Sequence, residues 1–169
     1  MFGLSTKKDL KKMRLLTTLI ITIVAHFTVS SQVFEWQQKV NFPGNSRQYA
    51  VSFVIGDTAY VGTGRNESTY IKDFYKYHAI TNTWTAIADL PGAARYGAVA
   101  FSFGGKGYVG TGDDGIDELN DFYEYDPNTG EWSAIANFGG TARDFAVAFT
   151  ISNKGYVGTG QDASGATLD

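Results

Sequence analysis

Short apolar runs of β type recur along the chain, separated by breaks rich in glycine and polar residues. Val51-Ser52-Phe53-Val54-Ile55 is followed by the break Gly56-Asp57, and then by Ala59-Tyr60-Val61-Gly62-Thr63-Gly64. The same two runs return at 99–103 with 107–112, and at 147–151 with 155–160, a step of 48 residues each time. Gly, Asn and Asp tolerate positive φ or bond their own backbone, so each pair of runs predicts two strands joined by a tight turn. Asp73–Ile80 predicts a third strand and Trp84–Leu90 a fourth, repeated at Asp121–Asp126 and Trp132–Phe138. Pro127, Asn128 and Gly130 supply the turn between the last two, since proline presets φ and the others accept turn conformations. In an extended strand Gly62 and Gly64 share one face, and glycine there predicts close approach of another backbone. No stretch of this region predicts a helix.

The fixed step governs the rest of the reading. Arg47, Arg95 and Arg143 keep it, as do Trp36, Trp84 and Trp132. One twisted sheet of four short strands cannot bury both faces alone, so a period of this length predicts stacked repeats. Radial stacking of four-stranded antiparallel units is a β-propeller. Tyr77, Trp84, Tyr125 and Trp132 flank equivalent turns and give each sheet an apolar face for its neighbour.

The arrangement resembles the Kelch repeat family. The likeness rests on the glycine pair after the second strand, on the Tyr77…Trp84 and Tyr125…Trp132 spacings, and on the stretch 121–132. Gly-Thr-Gly stands where many Kelch units have Gly-Gly. The resemblance implies an all-β, Kelch-type propeller, here an incomplete set of blades: 34–42 as the last strand of one, 43–90 and 91–138 as two whole blades, and 139–169 as part of another. Propellers have about 4–8 blades, so the sequence reads as a fragment that needs further blades to close a ring.

Residues ahead of the repeats read differently. Lys7, Lys8, Lys11, Lys12 and Arg14 precede a short apolar run, Leu15–Val29, and small residues follow at Ser30 and Ser31. This predicts a signal peptide over 1–31, shorter in its apolar run than a membrane span needs, and a secreted, periplasmic or cell-surface product with no membrane attachment after cleavage. Five of the 14 basic residues and one of the 17 acidic residues lie in that leader, so the remainder carries 9 against 16, a net of −7. An acidic product is a poor nucleic-acid binder. The chain has no cysteine, which excludes a disulfide-stapled domain and a lipidated N-terminal cysteine.

Candidate chemistry is sparse. Galactose oxidase-like copper enzymes use a Kelch-type propeller, but that family's site needs a cysteine and histidines, and His78 is the one histidine after the leader. No metal and no cofactor are expected. Asp113, Asp114, Asp117, Glu118 and Asp121 make a carboxylate-rich loop without EF-hand spacing. Asn66-Glu67-Ser68 fits a glycosylation acceptor and is given no role.

Loops between the second and third strands (65–72, 113–120 and 161–168) differ most between copies and are where a ligand site is expected. Arg47, Arg95, Arg143, Arg65, Asp113, Asp114 and Asp117 are the candidate ligand-binding residues. The repeated arginines have two readings: an anion-binding set facing the channel, or partners of each blade's own acid, Asp73 or Asp121. The functional expectation is a binding or scaffold module for a protein or carbohydrate. A carbohydrate-active enzyme, similar to the Kelch-like sialic acid mutarotases, is one alternative, and a structural module of a larger surface protein is the other.

Overall fold

Alternation makes the strands. In β1 (Val51–Ile55), Val51 and Phe53 are buried while Ser52 and Val54 face outward. The computed structural model describes residues 35–169, so the expected leader and Phe34 lie outside the described residues. β2 (Thr58–Gly62), β3 (Phe74–His78) and β4 (Thr83–Ile87) follow, and the four pair in sequence order as one antiparallel sheet. A second sheet repeats the order with β5 (Val99–Phe103), β6 (Lys106–Gly110), β7 (Phe122–Asp126) and β8 (Glu131–Ile135). β9 (Val147–Ile151) and β10 (Lys154–Gly158) form a two-stranded antiparallel sheet. No helix occurs among the described residues.

Turn chemistry fixes the register. Gly104 and Gly105, and likewise Ser152 and Asn153, take positive φ at both central positions, as tight hairpins with the native twist require. Asn82 takes φ 53° where the second copy has Gly130 at 75°. Tyr77 therefore faces Trp84 across the β3–β4 pair, and Tyr125 faces Trp132 across β7–β8.

Successive sheets stack face to face. The Phe53 ring lies parallel on Tyr60, with centroids 4.9 Å apart, and fills the notch at Gly107 in the next sheet, where a Cβ would overlap it. Phe101 does the same at Gly155. Trp132 packs against Phe74 of the first sheet at 4.9 Å, and its Nε1 donates to the Ala88 carbonyl at 2.9 Å. Val51, Phe53, Tyr60, Phe74, Leu90, Val109 and Tyr125 make the core. Burying one such aromatic contributes roughly 1.5–3 kcal/mol. The first strands lie side by side, tied by Ser102 Oγ to the Val54 carbonyl (2.6 Å) and Thr150 Oγ1 to the Ser102 carbonyl (2.9 Å).

Two expectations need correction. Residues 35–42, expected as the last strand of a blade, carry no strand. The segment from Lys39 still takes up the position after a fourth strand: Trp84 Nε1 donates to the Val40 carbonyl at 3.4 Å, as Trp132 does to Ala88, and Phe42 packs on Trp84. The glycine pair also does not share a sheet face. Gly62 ends β2 beneath the Phe74 ring, so a side chain and not a backbone fills its space. Gly64 lies past the strand at φ +98°, and there the backbone of 48–50 closes in.

Candidate functional site

Thr63, Thr111 and Thr159, between the two glycines, all take left-handed φ (55°, 59° and 63°). That conformation is costly for a β-branched residue, and the repeated arginine holds it. Arg95 Nη1 donates to the Thr111 carbonyl at 3.1 Å, and Nε donates to the Ala93 carbonyl at 3.0 Å. Its fork meets Asp121, with Nη2 to Oδ2 at 2.9 Å and Nη1 on Oδ1. Arg47 meets Asp73 (2.5 Å) and the Thr63 carbonyl, and Arg143 meets the Thr159 carbonyl at 2.8 Å. Arg95 is 0% exposed. The three arginines are thus placed inside their own repeats, on each repeat's own acid or bent threonine.

The 2–3 loops share one construction. Asn66, Asp114 and Asp162 are equivalent positions, and each Oδ1 accepts backbone N–H groups two to four residues on. Asp113 accepts from Gly115 N and from the Tyr96 hydroxyl. Asp113 and Asp114 therefore spend oxygens on organising the loop. Asp117 lies exposed beyond them and borders a cleft of about 330 Å³ with Glu118 and Asp162.

Isolated bridges bring each loop against the segment before strand one. Gln48 pairs with Arg65, Tyr96 with Asp113, and Asp144 with Gln161. Next to them Tyr49, Gly97 and Phe145, again equivalent positions, all take left-handed φ (58°, 61° and 50°) and link in series. Gly97 N donates to the Tyr49 carbonyl at 3.4 Å, and Phe145 N donates to the Gly97 carbonyl at 2.8 Å. Tyr49 and Phe145 stay 47% and 44% exposed and meet edge to face at 5.2 Å, with Tyr96 at 5.8 Å from each as the third ring of the cluster. Sequence reasoning missed these rings and Asp144. The signal was present, since they follow the repeated arginine and vary while it does not.

Electrostatics differ from repeat to repeat at this mouth. Arg65 lies 4.4 Å over the Tyr96 ring and 5.6 Å over Tyr49. Burial, with the hydrogen bond and charge of Asp113, pushes the Tyr96 phenol up to about 12. Asp144 is 1% exposed, and its Oδ1 has no partner. Burial raises its carboxyl, with the charges of Asp113 and Glu118 adding to it.

Clefts open or close with the loop side chain. Between the second and third repeats lies the 330 Å³ cleft. Between the first and second, the equivalent space is filled by Tyr70, lying against Gly115 where a Cβ would overlap its ring. On the flank of the first repeat a pocket of about 590 Å³ is lined by Ser46, Arg47, Gln48, Arg65 and residues 66–68.

A family profile described as Kelch motif matches residues 94–139. No curated protein shows significant similarity to the chain. A solved chain described as "Structure of YjhT" aligns with a TM-score of 0.69 at 22% identity, over 82% of this chain and 52% of that one. The chain thus spans about half the length of that protein, and at this identity the likeness speaks for fold alone. Fold, repeat and profile agree: these are Kelch-type repeats of an incomplete, unclosed β-propeller.

Proposed function

We propose that this Kelch-type propeller segment is part of an exported binding module that takes a carbohydrate at the mouth formed by its 2–3 loops. The observation that carries the reading is the pair of exposed rings, Tyr49 and Phe145, held edge to face at equivalent positions of different repeats with Tyr96 against both. Rigid aromatic faces flanked by a few fixed polar groups suit the apolar face of a sugar ring, with Arg65 and Asp113 to bond its hydroxyls. Export rests on the leader and predicts a mature N-terminus near Gln32. Titration of the full secreted protein with neutral oligosaccharides, followed by tyrosine fluorescence, tests the site. Tyr49→Ala with Phe145→Ala is expected to abolish saturable binding at unchanged Tm. Binding that survives both substitutions would refute the placement.

A carbohydrate-active enzyme is the second reading, favoured by Asp144. A buried carboxyl raised in pKa beside a second, hydrogen-bonded carboxylate is the environment of an acid/base pair. Turnover of a bound sugar that is lost in Asp144→Asn, with binding retained, would favour the enzyme over the module.

A further inference from the structure

The two seams between repeats are built on the same positions with opposite chemistry. At the first seam Arg65 lies 4.4 Å over the Tyr96 ring, and Tyr70 packs against that ring at 5.6 Å. That seam is filled, and it holds its own cation. Forty-eight residues on, the equivalents of Arg65, Tyr70 and Tyr96 are Asp113, Glu118 and Asp144. The second seam is open as the 330 Å³ cleft, with Asp117, Glu118 and Asp162 on its walls. None of these carboxyls makes an ion pair among the described residues.

Asp144 separates this cleft from an ordinary acidic surface. It is 1% exposed, and its Oδ1 is buried without a partner. It follows Thr141 and Ala142 and bridges Gln161, next to Asp162, so it belongs to the third repeat's wall. The charges that act on it, Asp113 and Glu118, belong to the second repeat, so its carboxyl is directed across the seam. Arg143, one residue before it, is turned instead to the Thr141 and Thr159 carbonyls. A buried acceptor without a donor is unfavourable, and a buried carboxylate among like charges more so.

We infer that the second seam is a subsite for a primary ammonium group. The spread of the carboxyls selects the class. Calcium needs its oxygens at about 2.3–2.6 Å, and among the described residues no three acidic or imidazole side chains stand close enough together to hold a metal ion. An ammonium carries three donors at the end of a larger ligand, so it can bond carboxyls that stand apart, one from each repeat. Phe145, the residue after Asp144, presents one of the exposed rings beside it. The inference rests on the carbohydrate reading above and deepens it: the sugar is an amino sugar, its ammonium between Glu118 and Asp144 and its ring on Phe145.

Saturation-transfer NMR titrations of the full chain with D-glucosamine and D-glucose test this, at low salt and about pH 6, where the amine is protonated. Glucosamine is expected to bind at least about tenfold more tightly, as charge-assisted hydrogen bonds require. The preference should shrink in Glu118→Gln and vanish when Asp144→Asn is added, with Tm measured for both variants. Equal affinity in the parent protein, or full preference in both variants, overturns the subsite and leaves the sugar-binding mouth intact. Glucosamine binding that methylammonium displaces and that Phe145→Ala leaves unchanged upholds the subsite and refutes the sugar reading. Binding of neither sugar overturns both.

Discussion

The Arg65 guanidinium lies 4.4 Å above the Tyr96 ring, so a cation from one repeat rests on an aromatic face supplied by the next. The Tyr96 hydroxyl in turn donates to Asp113 Oδ2 at 3.0 Å. Tyr96→Phe keeps the ring and removes the hydrogen bond. It is expected to cost about 0.5–1.5 kcal/mol in urea unfolding. The phenol's pKa of about 12 places this contribution at full strength below the unfolded value near 10, with loss only as pH rises through the folded value. An Asp113→Asn change that leaves Tyr96→Phe equally costly would show that the carboxylate is not the partner.

Arg95→Ala removes the fork and leaves Asp121 and two carbonyls without their donor inside the sheet edge. Breaking a buried pair from one side costs about 3–5 kcal/mol, and the variant is expected to melt well below the parent. Lysine at the same position cannot reach both Asp121 oxygens and two carbonyls, so Arg95→Lys should recover only part of the loss. Parent-like melting of Arg95→Ala would remove the arginine from the account of the bent threonine.

Acid should weaken the fold through Asp121. Burial raises its carboxyl, but the hydrogen bond and charge of Arg95 outweigh this and hold it below 3.8. The folded state therefore binds the proton less readily than the unfolded chain. The stability this gives is present above the unfolded value near 4 and is lost as pH falls through the lower folded value. Denaturant midpoints measured from pH 6 down to pH 3 are expected to fall, and less steeply in Asp121→Asn.

Asp144 has the opposite sign. Its folded carboxyl is raised, so ionisation opposes folding as pH climbs from the unfolded value through the folded one. Asp144→Asn is expected to raise Tm at pH 7 and to raise it less at pH 4. A lower Tm at pH 7 would mean that the carboxylate carries contacts beyond its side-chain hydrogen bond with Gln161.

Val147, Phe149, Ile151 and Tyr156 stand 44–55% exposed on the β9–β10 sheet, equivalent to faces that the next sheet covers in the two preceding repeats. An uncovered apolar face beside a free strand edge favours association. Residues 32–169 expressed alone should sediment as oligomers, and Phe149→Glu with Ile151→Lys should shift them toward monomer. A parent fragment that sediments as a monomer at all concentrations contradicts this.

Much of the fold was legible because a 48-residue step repeats the same strand, turn and aromatic chemistry, and each copy checks the others. The apolar runs match Val51–Ile55 and Val99–Phe103 residue for residue, and the second run of each pair falls within a residue or two of its strand. The third strand of the first repeat and both fourth strands end earlier than their runs predict, since Asp-Phe-Tyr and Trp mark where they pair but not where the twist ends them. The glycine pair misled because φ is not written in sequence: Thr63 turns left-handed only with Arg47 and the 48–50 backbone holding it. The mouth was hardest to read. Tyr49 and Tyr96 meet across two repeats, and nothing in linear spacing says that Arg65 will lie over both.

The ring-in-notch contact gives the stack a direction. Phe53 enters Gly107 and Phe101 enters Gly155, always from one repeat into the next, so the units join like tongue and groove and cannot be reversed. The first repeat breaks the rule on its receiving side, where Ala59 stands in place of those glycines. Its methyl occupies the groove. A surface that closes on this flank must present something other than a deep phenylalanine tongue, so the seam at Ala59 is keyed differently from the two seams within the chain.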